Sequence, residues 1–299
     1  MSATTPLTTA ASAMPPSAQP RTERSMARRE RWRLLRRRPG FIAGSVVLLF
    51  WVVCAVGGER VSPHGPLQTG FPSSQAPSGS HLFGTDQLGR DVLSRVMAGA
   101  RDVLLVSPFA ALLSVIIGTL LGLIGGYIRG IADEVVSRVM EAVLAIPVIL
   151  MGLLVFSTFG TSKTVKILTI AFLFTPIVFR TVRSVTLAEA ELDYVTSARL
   201  RGEGPLYIMT REIVPNITGP IVVELTVRVG YAIFTLATLV FVVGGGRPEE
   251  PEWGNMVSQT YGLIQGGTWW PAIFPALAIA SLVIAVNLIA DSVESVYAS

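Results

Sequence analysis

Long apolar runs dominate the chain, and its polar residues gather between them instead of alternating with them. A bilayer core takes roughly 20 mostly apolar residues in helical form. On that measure the runs predict spans over Phe41 to Val56, Val103 to Tyr127, Val135 to Phe159, Val165 to Val182, Ile217 to Val243 and Trp270 to Val296. Pro147 and Pro176 fall inside the third and fourth, where neighbouring helices can satisfy freed backbone groups. Pro147 is expected to kink its helix. The expected fold is therefore all-α and integral to the membrane, with six transmembrane helices. Two segments between spans are long enough to carry function. One is the loop from Gly57 to Ala100, and the other runs from Leu187 to Pro215.

Composition narrows the class. Hydrophobic residues make up 51 % of the 299 and charged residues 15 %, against about 25 % charge in an average soluble domain. So few charges cannot cover a soluble monomer of this size, and such apolarity excludes disorder for most of the chain. A single cysteine, Cys54, excludes a disulfide scaffold and reads as a small apolar residue of the first span. The two histidines, His64 and His81, come with no HExxH or CxxC pattern, so no metal site is expected.

Where the charges lie sets the topology. Nine arginines and two glutamates give residues 1–40 a net charge of +7, and the rest of the chain carries −3. A basic pI could mean nucleic acid, but the arginines abut an apolar run and lack the interleaved aromatics that nucleic acid needs. Residues 1–38 are expected to form a disordered, basic tail, and 39–57 a signal-anchor helix with no evident cleavage site. Six spans divide all 24 basic residues, the tail's nine included, sixteen to seven between the two sides, with Arg228 inside the fifth. The richer side holds both termini, which the positive-inside rule makes cytoplasmic. Trp269 and Trp270 are expected at a membrane interface.

The inner loop shows two short helical patterns separated by Gly202, Gly204 and Pro205. Gly202 can take the positive φ of a helix end, Pro205 suits a first turn, and Pro215 is expected to stop the second pattern. Ala198 and Gly202 share a face that another surface could approach closely. This loop resembles the EAA loop of ATP-binding-cassette importer permeases, with Ala198, Gly202 and Pro215 at that motif's spacing. Thr196 and Glu212 depart from it. The resemblance makes the segment, with Glu203, Gly204 and Pro205 at its centre, the coupling loop that docks on an ATPase subunit.

Two more segments resemble the C-type permease of dipeptide and oligopeptide importers. One is His81 to Arg101, with Gly84, Thr85, Asp86, Gly89, Arg90 and Asp91. Here Gly84-Thr85-Asp86 reads as a turn with an Asp helix cap, and Asp91 to Met97 as a short amphipathic helix at the outer interface. A structural lid on the second span and direct substrate contact are both open to it. The other segment is Pro251-Glu252-Trp253-Gly254; the Val243-Gly244-Gly245-Gly246-Arg247 stretch before it departs from the family.

The resemblance implies a type I ABC importer permease fold, with residues 58–100 as an extracytoplasmic loop and 101–296 as the five-helix core containing the coupling loop at 187–215. It implies a bacterial inner-membrane location in contact with lipid. The implied partners are a homologous B-type permease, two ATPase domains, an extracytoplasmic binding protein and a peptide substrate. ATP and Mg would sit on the ATPase partners, because Gly160-Thr-Ser-Lys-Thr164 lacks the glycine–lysine pair of a phosphate-binding loop. No catalytic residue set is present. A nickel or metal-chelate permease would share these motifs. A secondary transporter would need ion-relay acids inside its spans, where Glu224 is the one clear acid. Glu224 and Arg228 lie one helical turn apart in the fifth span, in the favourable order for an ion pair. They can line the translocation path or form a neutralising structural pair.

Overall fold

The structure, a computed structural model, describes residues 33–243 and 249–297. Most of the basic tail and the glycine-rich stretch at 244–248 lie outside these residues. Nine longer helices organise the described chain. They are α1 (Pro39–Gly57), α2 (Val92–Ile128), α3 (Ile131–Leu144), α4 (Val148–Phe159), α5 (Lys163–Glu189), α6 (Asp193–Leu200), α7 (Thr218–Val243), α8 (Trp253–Thr260) and α9 (Trp270–Tyr297). No strand forms among the described residues; one isolated bridge joins Thr85 and Asp91.

Five helices, α1, α2, α5, α7 and α9, are each long and apolar enough to cross a bilayer. The third span expected from sequence is two helices, α3 and α4, bent by 87°. The break falls at Ala145–Pro147, where proline pushes its predecessor out of helical conformation and offers no N–H to the ladder. The pair nonetheless crosses the bundle. Lys163 at the start of α5 pairs with Asp102 near the head of α2, and Arg129 just past the tail of α2 pairs with Glu191 just past α5. The chain between Ile128 and Lys163 therefore travels from one end of the bundle to the other. The ends of the described chain agree, because Leu35 packs with Val293 and Val296. Termini on one side require an even number of crossings.

The main seam joins α2 to α5. Gly118, Gly122 and Gly126 recur every fourth residue along α2. A methyl on them would meet Val178, Val182 with the Arg183 backbone, and Thr186 respectively, all at under 3.0 Å. Without a hydrophobic driving force inside lipid, such small residues let helix backbones approach and gain dispersion contacts. The core above this seam gathers Val103, Val106, Ile170, Phe174, Ile233 and Leu236.

The segment Asp91 to Met97 is not a separate interfacial helix. It is the head of the 37-residue α2, and Val92, Ser94, Arg95 and Val96 are buried. No glycine pair or proline separates it from the apolar run that follows, so the helix continues.

Candidate functional site

The loop that the sequence assigns to the inner side is a helical hairpin. Its first arm, α6, ends at Leu200, and Gly202 takes φ +81°. Gly202 N–H donates to the Arg199 carbonyl and Glu203 N–H to the Ala198 carbonyl. These two bonds form a Schellman cap, which needs a residue that tolerates the left-handed region. Gly204 is extended, and Pro205 opens the second arm at its first turn.

That arm runs from Pro205 to Asn216 but is not uniform. Ile208–Ile213 is wound as a π-helix. Pro215 has no N–H for the Arg211 carbonyl and its ring would crowd that oxygen in α register, and the widened turn lies just before it. Pro215 does not stop the arm as expected. Helical backbone persists to Asn216, and the chain turns at Ile217 before α7.

Ala198 is completely buried, but by this chain itself. It packs with Val195, Ile208 and Ile213, so the close approach expected of its face is between the two arms. A methyl on Gly202 would meet nothing, so its role is conformational. Glu212, at a position where the motif is apolar, pairs with Arg201 at 3.2 Å and ties the arms together. Tyr194 donates to Glu189 at 2.8 Å; burial and that carboxylate push its phenol up to about 12. Turned outward at the tip are Leu200, 85 % exposed, and Leu206, 71 % exposed.

At the opposite end, the loop between α1 and α2, the outer loop by its sequence assignment, is held by a dense polar network. Asp86 is not a helix cap. Its Oδ1 accepts from the backbone N–H groups of Leu88 and Arg90, and its Oδ2 accepts from Arg90 Nε at 2.7 Å. The cap of α2 is Asp91, whose Oδ2 accepts from Ser94 N–H at 2.8 Å. Gly89 takes φ +66°, and a methyl there would strike the Phe71 carbonyl. Thr85 Oγ1 donates to the Pro72 carbonyl and accepts from Gln75 N–H. Gly84, also at positive φ, packs against the Trp270 ring. Trp269 is exposed as an interfacial residue would be, but Trp270 is buried, and its indole donates to the Thr85 carbonyl.

Trp253, in the Pro-Glu-Trp-Gly element, is buried and donates to the Val96 carbonyl at 2.7 Å. Beside it lies a pair that sequence reasoning missed. Lys166 Nζ reaches Glu252 Oε2 at 2.5 Å, with both side chains buried. Burial pushes the Glu252 carboxyl up, against the pull of Lys166. Their separation of 86 residues leaves no local signal; only a lysine in the first turn of an apolar span hinted at a partner.

Glu224 and Arg228 meet on α7 at 2.9 Å, off the line of a hydrogen bond, with each side chain 11 % exposed. The guanidinium lies over the rings of Phe174 on α5 and Tyr231 on α7. A charged cavity of about 300 Å³ lies between α3 and α5, lined by Asp133, Arg138, Glu141, Arg180 and Arg183 among others. Asp133 accepts two hydrogen bonds from Arg183, at 2.7 and 2.6 Å.

Comparison with known proteins agrees with this arrangement. Residues 118–297 match the family model for the binding-protein-dependent transport system inner membrane component, and residues 27–77 match the N-terminal TM domain of oligopeptide transport permease C. A dipeptide transport system permease protein of Haemophilus influenzae is 34 % identical over 89 % of this chain and 92 % of its own length. The corresponding protein of Escherichia coli K12 is 36 % identical over 89 % and 90 %. A glutathione transport system permease protein of Pectobacterium atrosepticum is 34 % identical over 89 % of both. With the multi-pass bundle, the capped inner hairpin and the packed outer loop, these likenesses make the chain a member of the binding-protein-dependent transport system inner membrane component family.

Proposed function

We propose that this chain is a permease subunit of an ATP-driven peptide importer and that the hairpin at 193–216 is its coupling element. The observation that carries the reading is the tip of that hairpin. Leu200 and Leu206 stand largely exposed on a scaffold fixed by a Schellman cap, a proline start and the Arg201–Glu212 pair. Exposed apolar side chains on an ordered loop suit a protein groove, and this loop lies at the bundle end that carries both termini. We place that end in the cytoplasm, where an ATPase subunit would hold the tip. The chain itself does no ATP chemistry; ATP and Mg belong to two ATPase domains. A homologous permease completes the path, and an extracytoplasmic binding protein delivers substrate to the other face. Closure of the ATPase pair would push the hairpin and tilt the spans between inward-open and outward-open states. The peptide class rests on the dipeptide and glutathione permeases that the chain resembles along most of its length.

The Glu224–Arg228 pair fits a structural closure of the seam between α5 and α7. Its charges neutralise each other where an isolated charge would be costly, and the arginine is covered by two aromatic rings.

The test is uptake of labelled dipeptides and oligopeptides by the reconstituted complex. ATP-dependent accumulation is expected, and Leu206→Glu should abolish it and release the ATPase subunit. Uptake driven by a proton gradient without ATP would overturn the reading.

A further inference from the structure

His64, His81 and Asp91 come from three separate stretches of the outer loop and meet at one point. We propose that they form a binding site for a divalent transition-metal ion of the zinc class. The ion would clip the loop around His64 to the head of α2.

The donor set is two imidazole nitrogens and one carboxylate oxygen, a combination that zinc accepts readily. His81 Nδ1 lies 2.9 Å from Asp91 Oδ1, and His64 Nδ1 lies 3.9 Å from the same oxygen. All three ligand atoms fall within 4.8 Å of one another. Around tetrahedral zinc, neighbouring ligand atoms stand about 3.3 Å apart, given bonds of about 2.0–2.1 Å. The two distances to Asp91 Oδ1 lie within about 0.6 Å of that spacing, and the two imidazole nitrogens, no more than 4.8 Å apart, would close by at most about 1.5 Å.

Three further observations support a built site. First, His64 Nδ1 is shielded from solvent and makes no hydrogen bond. A shielded nitrogen without a partner is costly, and a metal bond would satisfy it. Second, the carboxylate is pre-aimed. Ser94 donates both its N–H and its hydroxyl to Asp91 Oδ2, which leaves Oδ1 toward the imidazoles. Ser94 Oγ also accepts from His64 N–H at 3.0 Å, so one serine positions two ligands. Third, the Phe71 ring stands edge-on to both imidazoles, at 4.6 and 5.0 Å between centroids, and walls the site with apolar surface. The His64 side chain is 28 % exposed and the Asp91 side chain 2 %, which gives an ion a route in past His64. Three protein ligands leave a fourth position for water.

The site stands apart from the transport reading and can fail without it. The test uses the full-length chain, free of any histidine tag, purified in detergent and stripped with a chelator. Co²⁺ is the first probe, because its visible absorption reports nitrogen and oxygen ligands in a low-coordinate site. Bands should saturate at one cobalt per chain, Zn²⁺ should displace it, and each ion should raise the unfolding temperature. His64→Gln and His81→Gln should each weaken binding by at least about tenfold. His64→Gln leaves the α2 cap in place, so the stripped variant should melt with the stripped parent. The proposal is overturned if neither ion gives bands or a melting shift up to about 100 μM, or if His64→Gln binds as the parent does. Should both variants fail to fold, the parent's own titration still decides.

Discussion

Trp270 donates its indole N–H to the backbone carbonyl of Thr85, 2.9 Å away and 185 residues earlier in the chain. The bond ties the first turn of α9 to the folded outer loop. Trp270→Phe keeps most of the ring but leaves a buried carbonyl unpaired, at a cost of about 1–3 kcal/mol. Amide exchange should quicken across residues 72–91 while α5 stays protected. Unchanged exchange there would mean that the loop holds itself.

Gly202→Ala should destabilise the hairpin by about 1–2 kcal/mol, because an L side chain at φ +81° is strained even in open space. Gly204→Ala, at an extended position, should change stability by no more than about 0.5 kcal/mol. Thermal unfolding of the two variants separates a conformational need from a packing one.

Gly122→Val should disrupt the α2–α5 seam. A Cβ at this position would stand 2.9 Å from both the Arg183 backbone nitrogen and the Val182 side chain, and the remaining carbons would press further on them. A loss of about 1–3 kcal/mol is expected, read as a lower melting temperature in detergent.

Glu224→Gln strands Arg228 in an apolar seam and should cost about 3–5 kcal/mol. Replacing both, as Glu224→Leu with Arg228→Met, should recover most of the loss, since an apolar pair needs no neutralisation. Transport by the double variant then reports the pair's role. Restored uptake fits a structural closure, whereas normal assembly with no uptake places the charges on the substrate path.

Alkaline stability should depend on Tyr194. Its phenol is raised from 10.0 to about 12 in the folded chain, so the folded state holds the proton more tightly than the unfolded one. The resulting stability is fully present below about pH 10 and is lost as pH rises toward about 12. Tyr194→Phe should flatten the melting temperature through that window, relative to the parent.

The spans were legible because a run of about 20 apolar residues has few other uses. Gly202 and Pro205 were legible because each answers a local backbone demand. What stayed hidden depends on partners distant in sequence. A tryptophan at the end of a span looks the same whether it faces headgroups or donates to Thr85. Proline marks the break at Pro147, but the local sequence does not fix the bend at 87°. Asp86 reads as the cap from its turn, and only the loop's closure gives the role to Asp91. Ala198 is small, as a docking residue could be, yet its neighbour is the other arm of its own hairpin.

The outer loop is fastened to two helices, and one of these to a third. Thr85 holds the head of α9, Asp91 caps α2, and Val96 on α2 accepts from Trp253 at the head of α8. In mechanical terms this is a splice plate bolted across three beams. Tilting any one beam alone would shear buried hydrogen bonds, so that end of the subunit moves as a block. Compliance is left to places where the i to i−4 ladder is already interrupted, among them the Ala145–Pro147 break and the widened turn at Ile208–Ile213.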